Sequence, residues 1–211
     1  MPPISDARLQ AAIDRQEINE LLMMWGQARD RAEWDNLRNC FQPDGQINIA
    51  WISGPASEFI DKSSERLSEF KAGEYSKHVI SPGRIQLNGA RAFSQCHVNH
   101  VTRVIVEGHE FDWEFWGQFF DLIERREEGV WRLVNRTMVY EKDRLDAVHP
   151  DQLPEGYFDD TDFSDFLPEV RFLGWRLQKK NIPAAKNLLT INSPEEMALI
   201  ENSLKWLAEG A

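Results

Sequence analysis

The stretch KHVISPGRIQLNGARAFSQCHVNHVTRVIVEGHEFDWEFWGQFFDLIERREEGVWRLVNRTMVYE (residues 77–141) decides the fold. It is rich in β-branched and aromatic residues, and three turn dipeptides break it: Asn88-Gly89, Glu107-Gly108 and Glu128-Gly129. Such dipeptides between apolar runs are hairpin signals, so the stretch predicts four antiparallel strands, roughly 77–87, 91–106, 109–125 and 130–141. Strands this long must coil, and a coiled sheet backed by helices encloses a cone with one open end.

Working back toward the N-terminus, the periodicity changes to helical. Asp14-x-x-Glu17 reads as a capping box, in a helix that can already start near Ser5. Ile18, Leu21, Leu22 and Trp25 follow on one face. A short amphipathic stretch with Trp34, Leu37 and Phe41 stops at the turn Pro43-Asp44-Gly45. Ile47 to Trp51 alternates like a strand, and a third helix is expected from Ser57 to Ala72, with Gly73 as its stop. Helices first and a meander afterwards predict an α+β fold: three N-terminal helices on a strongly curved, mainly antiparallel sheet. This cone domain is placed at residues 1–145, and residues 146–211 are read as a C-terminal helical extension. In that extension a basic helix with Arg171, Arg176, Lys179 and Lys180 is expected near the acidic segment 155–166, held chiefly by Phe158, Phe163, Phe166 and Trp175. Ser193-Pro194-Glu195-Glu196 opens a last helix.

The composition narrows the partners. Of 211 residues 42% are hydrophobic and 28% charged, as in a folded globular chain. Lys+Arg 24 against Asp+Glu 35 gives a net charge of −11, which argues against nucleic acid and anionic membrane surfaces. Cys40 and Cys96 make neither a disulfide framework nor a zinc site. Met1 to Ser5 lacks the basic-then-apolar pattern of a secretion signal, so a cytoplasmic protein is expected. Eight Trp and twelve Phe are a heavy aromatic load, suited to a core and also to an apolar pocket.

A few polar residues stand out against this background. Asp30 ends an apolar helical stripe, and His78 opens the first long strand. A carboxylate beside an imidazole fixes its tautomer and stabilises the imidazolium, which makes a general base; each alone is more often a structural residue. His97 and His100 are an odd number of residues apart on one strand and must point to opposite faces, so they do not share a metal. Arg136 on the last strand would place a fixed charge inside the cone, or simply pair with an acid. Trp25, Trp51, Trp116 and Phe120 are the candidates for lining a pocket. No phosphate loop, nucleophile elbow or His-Glu-x-x-His pattern is present.

Asp30 followed by Trp34-Asp35-Asn36-Leu37-Arg38, then Lys77-His78, then Gly129-Val130-Trp131-Arg132 leading to Arg136, resembles the SnoaL-like branch of the nuclear transport factor 2-like superfamily over about residues 10–145. That group includes scytalone dehydratase, bile-acid 7α-dehydratase and hexachlorocyclohexane dehydrochlorinase. The resemblance implies a catalytic pair from Asp30 and His78, help at the leaving group from a middle-strand residue nearest His100, and Arg136 lining the pocket. It implies eliminations without metal or organic cofactor, and a trimer rather than a dimer. This chain has Arg29 and Trp51 where scytalone dehydratase uses tyrosines, and Trp25 where the dehydrochlorinase has lysine. The leaving-group apparatus therefore does not carry over. The expected function is a cofactor-independent lyase, dehydratase-like or cleaving carbon–carbon bonds, acting on a small hydrophobic, aromatic or polycyclic molecule. Two alternatives stay open: an isomerase using the same pocket, and a non-catalytic assembly module like the small subunits of ring-hydroxylating dioxygenases.

Overall fold

The computed structural model describes residues 5–182 and 188–210. Helix α1 (Asp6–Asp30) starts at Ser5, whose hydroxyl accepts from the Arg8 amide. The start lies two turns before Asp14, so Asp14 is not a cap. It points inward and accepts from Arg125 Nη1 at 2.6 Å and Trp131 Nε1 at 3.2 Å, which ties the helix to the far hairpin. Ile18, Leu22, Trp25 and Ala28 recur at helical spacing and are buried, as a core-facing stripe requires. Helix α2 (Trp34–Asn39) and helix α3 (Ala56–Ser68) complete the N-terminal group; α3 buries Phe59 and Ile60 and ends short of Ala72.

The strands are β1 (Phe41–Ile49), β2 (Ile52–Pro55), β3 (Tyr75–Ile80), β4 (Arg84–Asn88), β5 (Arg91–Val106), β6 (His109–Arg125) and β7 (Trp131–Ala147), with a short β8 (Leu189–Thr190). They form one sheet in the order β2-β1-β7-β6-β5-β3, in which β1 and β8 run parallel to β7 and the other pairs are antiparallel. The expected first long strand is two strands. Ser81-Pro82-Gly83 interrupts it, because proline has no N–H for the ladder, and β3 and β4 take successive lengths of the β5 edge. Strand β7 runs on to Ala147, past the expected end at residue 141. Its alternating exposed charges Lys142 and Arg144 hid the inward Leu145. Two register breaks between β6 and β7, at Trp116/Gly117 and Leu122/Ile123, bend the sheet into an unclosed curl. At the first of them a Cβ on Gly117 would run into Met138 Cε and the Val139 carbonyl, so only glycine fits.

The curl has two faces. On the concave face Trp25, Phe59, Phe119 and Met138 meet beneath α1 and α3. The other half of the same face, with Val104, Val106 and Phe111, is covered by the tail through Tyr157, Phe158, Phe163 and Trp175. Helix α4 (Arg171–Lys179) lies along this seam, and its Leu173 and Leu177 join the main core. Segment 155–166 and α4 do pack together, through rings: Phe158 with Trp175 at 5.6 Å and Phe163 with Phe172 at 5.6 Å. The helix cations turn elsewhere. Lys179 pairs with Glu107 and Arg176 lies over Trp113, so aromatic contacts rather than ion pairs join α4 to the acidic segment. Helix α5 (Pro194–Ala208) begins as its sequence predicted, with the Ser193 hydroxyl accepting from the Glu196 amide. It covers the convex face over Phe93, Phe120 and Val139. Among the described residues no helix is long and apolar enough to cross a membrane.

Candidate active site

The last residue of α1 meets the middle of β3. His78 donates its backbone N–H to Asp30 Oδ2 at 2.6 Å, and its ring Nδ1 lies 2.6 Å from Asp30 Oδ1. Both carboxylate oxygens are thereby occupied by one residue, which fixes the position of its backbone and the orientation of its ring. With Nδ1–H donated to Asp30, Nε2 is the nitrogen left with a lone pair. Gly26, one helical turn before Asp30, makes the approach possible. A Cβ there would sit 2.9 Å from Ile80 Cδ1 and 3.6 Å from His78 Cβ, so a side chain would force Ile80 to turn aside.

Rings surround the pair. Trp25 presents its edge to His78 at 5.4 Å and stacks on Phe59, and Trp51 continues the row from Phe59 at 5.5 Å. On the other side His100, the cross-strand partner of His78, stacks on it at 4.1 Å, with Trp113 and Phe115 beyond. The His78 and Asp30 side chains are only 11% and 13% exposed. Burial pulls the His78 pKa below the usual histidine value; the Asp30 bond and charge oppose this, while Arg29 and Arg136 add to it. The imidazole is therefore neutral at pH 7, the form a base needs. Burial pushes His100 much further down, with the His78 and Arg176 charges acting the same way. Its Nε2 lies 2.7 Å from the Ser76 hydroxyl and 3.2 Å from that of Thr102. His100 can thus take part as a neutral hydrogen-bonding group, not as an imidazolium acid.

The remaining sequence candidates separate cleanly. His100 faces inward, while His97 is exposed near Glu141. Arg136 is inside the cone and wholly buried, and its fork grips Asp121 through Nε–Oδ1 and Nη2–Oδ2 contacts of 2.8 Å. It sits 4.4 Å from the Trp25 ring and 4.2 Å from that of Phe119, and reaches His78 only through its field. Bidentate pairing keeps Arg136 charged, while burial pushes the Asp121 carboxyl up. Trp25 borders the dyad, and Trp51 lies beyond it, behind Phe59. Trp116 and Phe120 lie elsewhere: both point to the convex face, Trp116 against Lys142 and Phe120 against Phe93 beneath α5. The inward positions of β6 are Trp113, Phe115 and Phe119, one place away, because side chains alternate.

Sequence reasoning also missed Asp121, although an acid inside Phe119-Phe120-Asp121-Leu122-Ile123 was a usable sign. A cleft of about 280 Å³ lies away from the dyad, between β1, β7 and the tail, and Asn48, Thr137, Met138 and Leu189 are among its lining residues. It contains no group suited to proton transfer at neutral pH, so the dyad rather than this cleft is the candidate centre. Among the described residues no three His, Cys, Asp or Glu side chains converge as metal ligands would.

Comparison with known proteins agrees with this architecture. No curated protein matches the sequence. Among solved structures, a scytalone dehydratase-like protein from Novosphingobium aromaticivorans superposes with a TM-score of 0.55 at 18% identity, over 64% of this chain and 88% of its own. A hexachlorocyclohexane dehydrochlorinase, LinA type 2, gives 0.56 at 16% identity, over 69% of this chain and 96% of its own. A nuclear transport factor 2-like superfamily protein from Salmonella enterica serovar Typhimurium gives 0.52 at 14% identity, over 61% and 91%. At such identities the likeness is one of fold. The family model for the SnoaL-like domain matches residues 10–137, more than half of the chain and every element that builds the dyad, and the chain belongs to the SnoaL-like family.

Proposed function

We propose that the chain is a lyase whose general base is His78, oriented by Asp30, acting on a small ring compound. The observation that carries this reading is the double contact of Asp30 with the backbone and ring of a single buried histidine. Nε2 of the neutral ring takes a proton from a carbon beside a polarised group. The electron pair left behind forms the new double bond as the group on the neighbouring carbon departs. Asp30 accepts from Nδ1–H throughout and stabilises the imidazolium, and the rings of Trp25, Trp51 and Trp113 exclude water. Returning the proton to a different carbon would make the same site an isomerase. In the elimination the departing group leaves with the electron pair of its broken bond, and the imidazolium then returns its proton to that group or to solvent. The dehydratase-like and dehydrochlorinase neighbours support a lyase or isomerase class and leave the substrate open.

One observation favours a non-catalytic module instead: α4 and the tail fill much of the concave face. A proton-exchange experiment separates the two. The full chain is incubated with cyclic aryl ketones such as 2-tetralone in D2O, and deuterium uptake next to the carbonyl is followed by mass spectrometry. A working base accelerates uptake, and His78→Ala or Asp30→Asn should each lower the rate by ~10²–10⁴-fold. Uptake no faster than in buffer, or unchanged in both variants, would return the protein to the non-catalytic class.

A further inference from the structure

We propose that the ligand of this site carries an anionic group, a carboxylate attached to its ring system, which seats between Arg29, Arg66 and Arg176. The inference rests on the dyad reading for where the ligand reacts, and on separate observations for how it is held. The three arginines come from α1, α3 and α4 and lie over rings near the dyad, Arg29 over Trp34, Arg66 over Trp51 and Arg176 over Trp113. Arg66 lies 3.8 Å from the Trp51 ring centre and Arg176 lies 4.2 Å from that of Trp113, the first and last rings of a row that passes through Trp25, His78 and His100 and curls so that the Arg66 charge is felt at Arg176. Arg29 immediately precedes Asp30.

Elsewhere in this chain the buried Arg136 has Asp121, and the half-buried Arg125 has Asp14. Among the described residues none of these three has a carboxylate within 4.0 Å. The side chains as a whole are half-buried, but Arg29 Nη1 and Arg176 Nε are cut off from solvent and meet no acceptor. Holding a guanidinium over an aromatic ring satisfies its charge in part and uses none of its N–H donors. The nearby acids are already engaged. Asp30 accepts twice from His78, and Glu74 accepts from the amides of Lys71 and Ile105; Asp143 accepts from Trp113 Nε1 and the Leu173 amide through Oδ2, and its Oδ1, without a partner among the described residues, makes no ion pair with Arg176. Glu69 is exposed.

Unpaired cations gathered in this way repel one another. Burial first, and then the Arg29 charge, bring Arg66 down to about 10, with Glu69 opposing; burial brings Arg176 down to about 10 as well, against the Glu74 and Asp143 charges and with a smaller push from Arg66. An anion among them relieves the repulsion, supplies the missing acceptors and matches the planar fork of each guanidinium. With its charge held at the rim, the apolar body of the ligand would lie along the rings with a C–H beside His78 Nε2.

The test is calorimetric titration of the full chain with 2-naphthoate and with 2-naphthamide, which has the same shape without the charge. Naphthoate should bind about 10²-fold more tightly. Arg66→Gln and Arg176→Gln should each reduce that preference about tenfold, and Arg66→Lys, which keeps the cation, should reduce it less. Circular dichroism of each variant establishes that it is folded. Equal affinity for acid and amide overturns the proposal, as does a preference unchanged in the folded variants. So does failure of naphthoate to saturate the site by about 10 mM. His78→Ala should lose deuterium exchange while still preferring the acid. A preference for the acid in a protein whose exchange ignores His78 would refute the base and leave the anion site standing, and the converse result would refute only the anion site.

Discussion

Replacing Asp121 by asparagine keeps the shape of the side chain and removes its charge, leaving Arg136 as an unpaired cation in the core. Both side chains are 0% exposed, so solvent cannot compensate. Breaking a buried pair by removing one partner costs ~3–5 kcal/mol. Asparagine can still accept one of the two hydrogen bonds, and the contacts of Arg136 with Trp25 and Phe119 are the same before and after the change, so they cancel. The expected loss is therefore near the lower bound, about 3 kcal/mol. With an m value of ~2–3 kcal/mol per M for a chain of this size, the urea midpoint should fall by about 1–1.5 M. Replacing both partners, Asp121→Leu with Arg136→Met, removes the stranded charge and should restore most of the midpoint. A single variant that shifts the midpoint by less than about 0.3 M would refute the reasoning, because such a shift is under 1 kcal/mol and incompatible with a stranded buried charge. A double variant less stable than the single one would do the same.

Two further outcomes follow from the site and the tail. Because burial depresses the His78 pKa, deuterium exchange should be on its plateau at pH 7 and decline only on the acid side of the ordinary histidine value, ~6.5; an acid limb above neutrality would contradict this. The stability sign agrees. Below ~6.5 the unfolded chain protonates His78 and His100 while the folded chain holds them neutral, so urea midpoints should fall with pH in that window, and a rise there would count against buried neutral rings. Trp175 is buried against Phe111 and Phe158, so Trp175→Ala should cost ~3–5 kcal/mol in a urea melt, and a loss below about 1 kcal/mol would mean the tail does not pack as described.

Much of the architecture was legible because it is written locally. Asn88-Gly89, Glu107-Gly108 and Glu128-Gly129 mark real turns, and the stripe from Ile18 to Trp25 is the buried face of α1. The errors arose where local signals compete. Ser81-Pro82-Gly83 was read through as strand, and Asp14 was read as a cap although Ser5 had already begun the helix. Trp116 and Phe120 fall on the convex face, which the sequence does not disclose because aromatic residues occupy both parities of β6 and alternation alone does not tell which set faces inward. The site was less legible still. Asp30 and His78 are 48 residues apart, and only the family resemblance brought them together in advance. The rim arginines sit on three separate helices, and on each helix an arginine looks like an ordinary solvated cation.

The position of α4 has a thermodynamic consequence. Leu173 and Leu177 fasten this helix into the core that borders the dyad, and Arg176, one residue before Leu177, points a donor into the same space. An anion seated beside Arg176 as proposed gives that helix a counter-charge to close upon. Helix docking and anion recognition are then linked equilibria: whatever factor a docked helix adds to anion affinity, a bound anion adds to helix docking. An elimination that discards the anionic group would cancel this coupling at the moment of reaction and loosen the helix as product forms. One that retains the group would leave the helix clamped, with product release as the slow step.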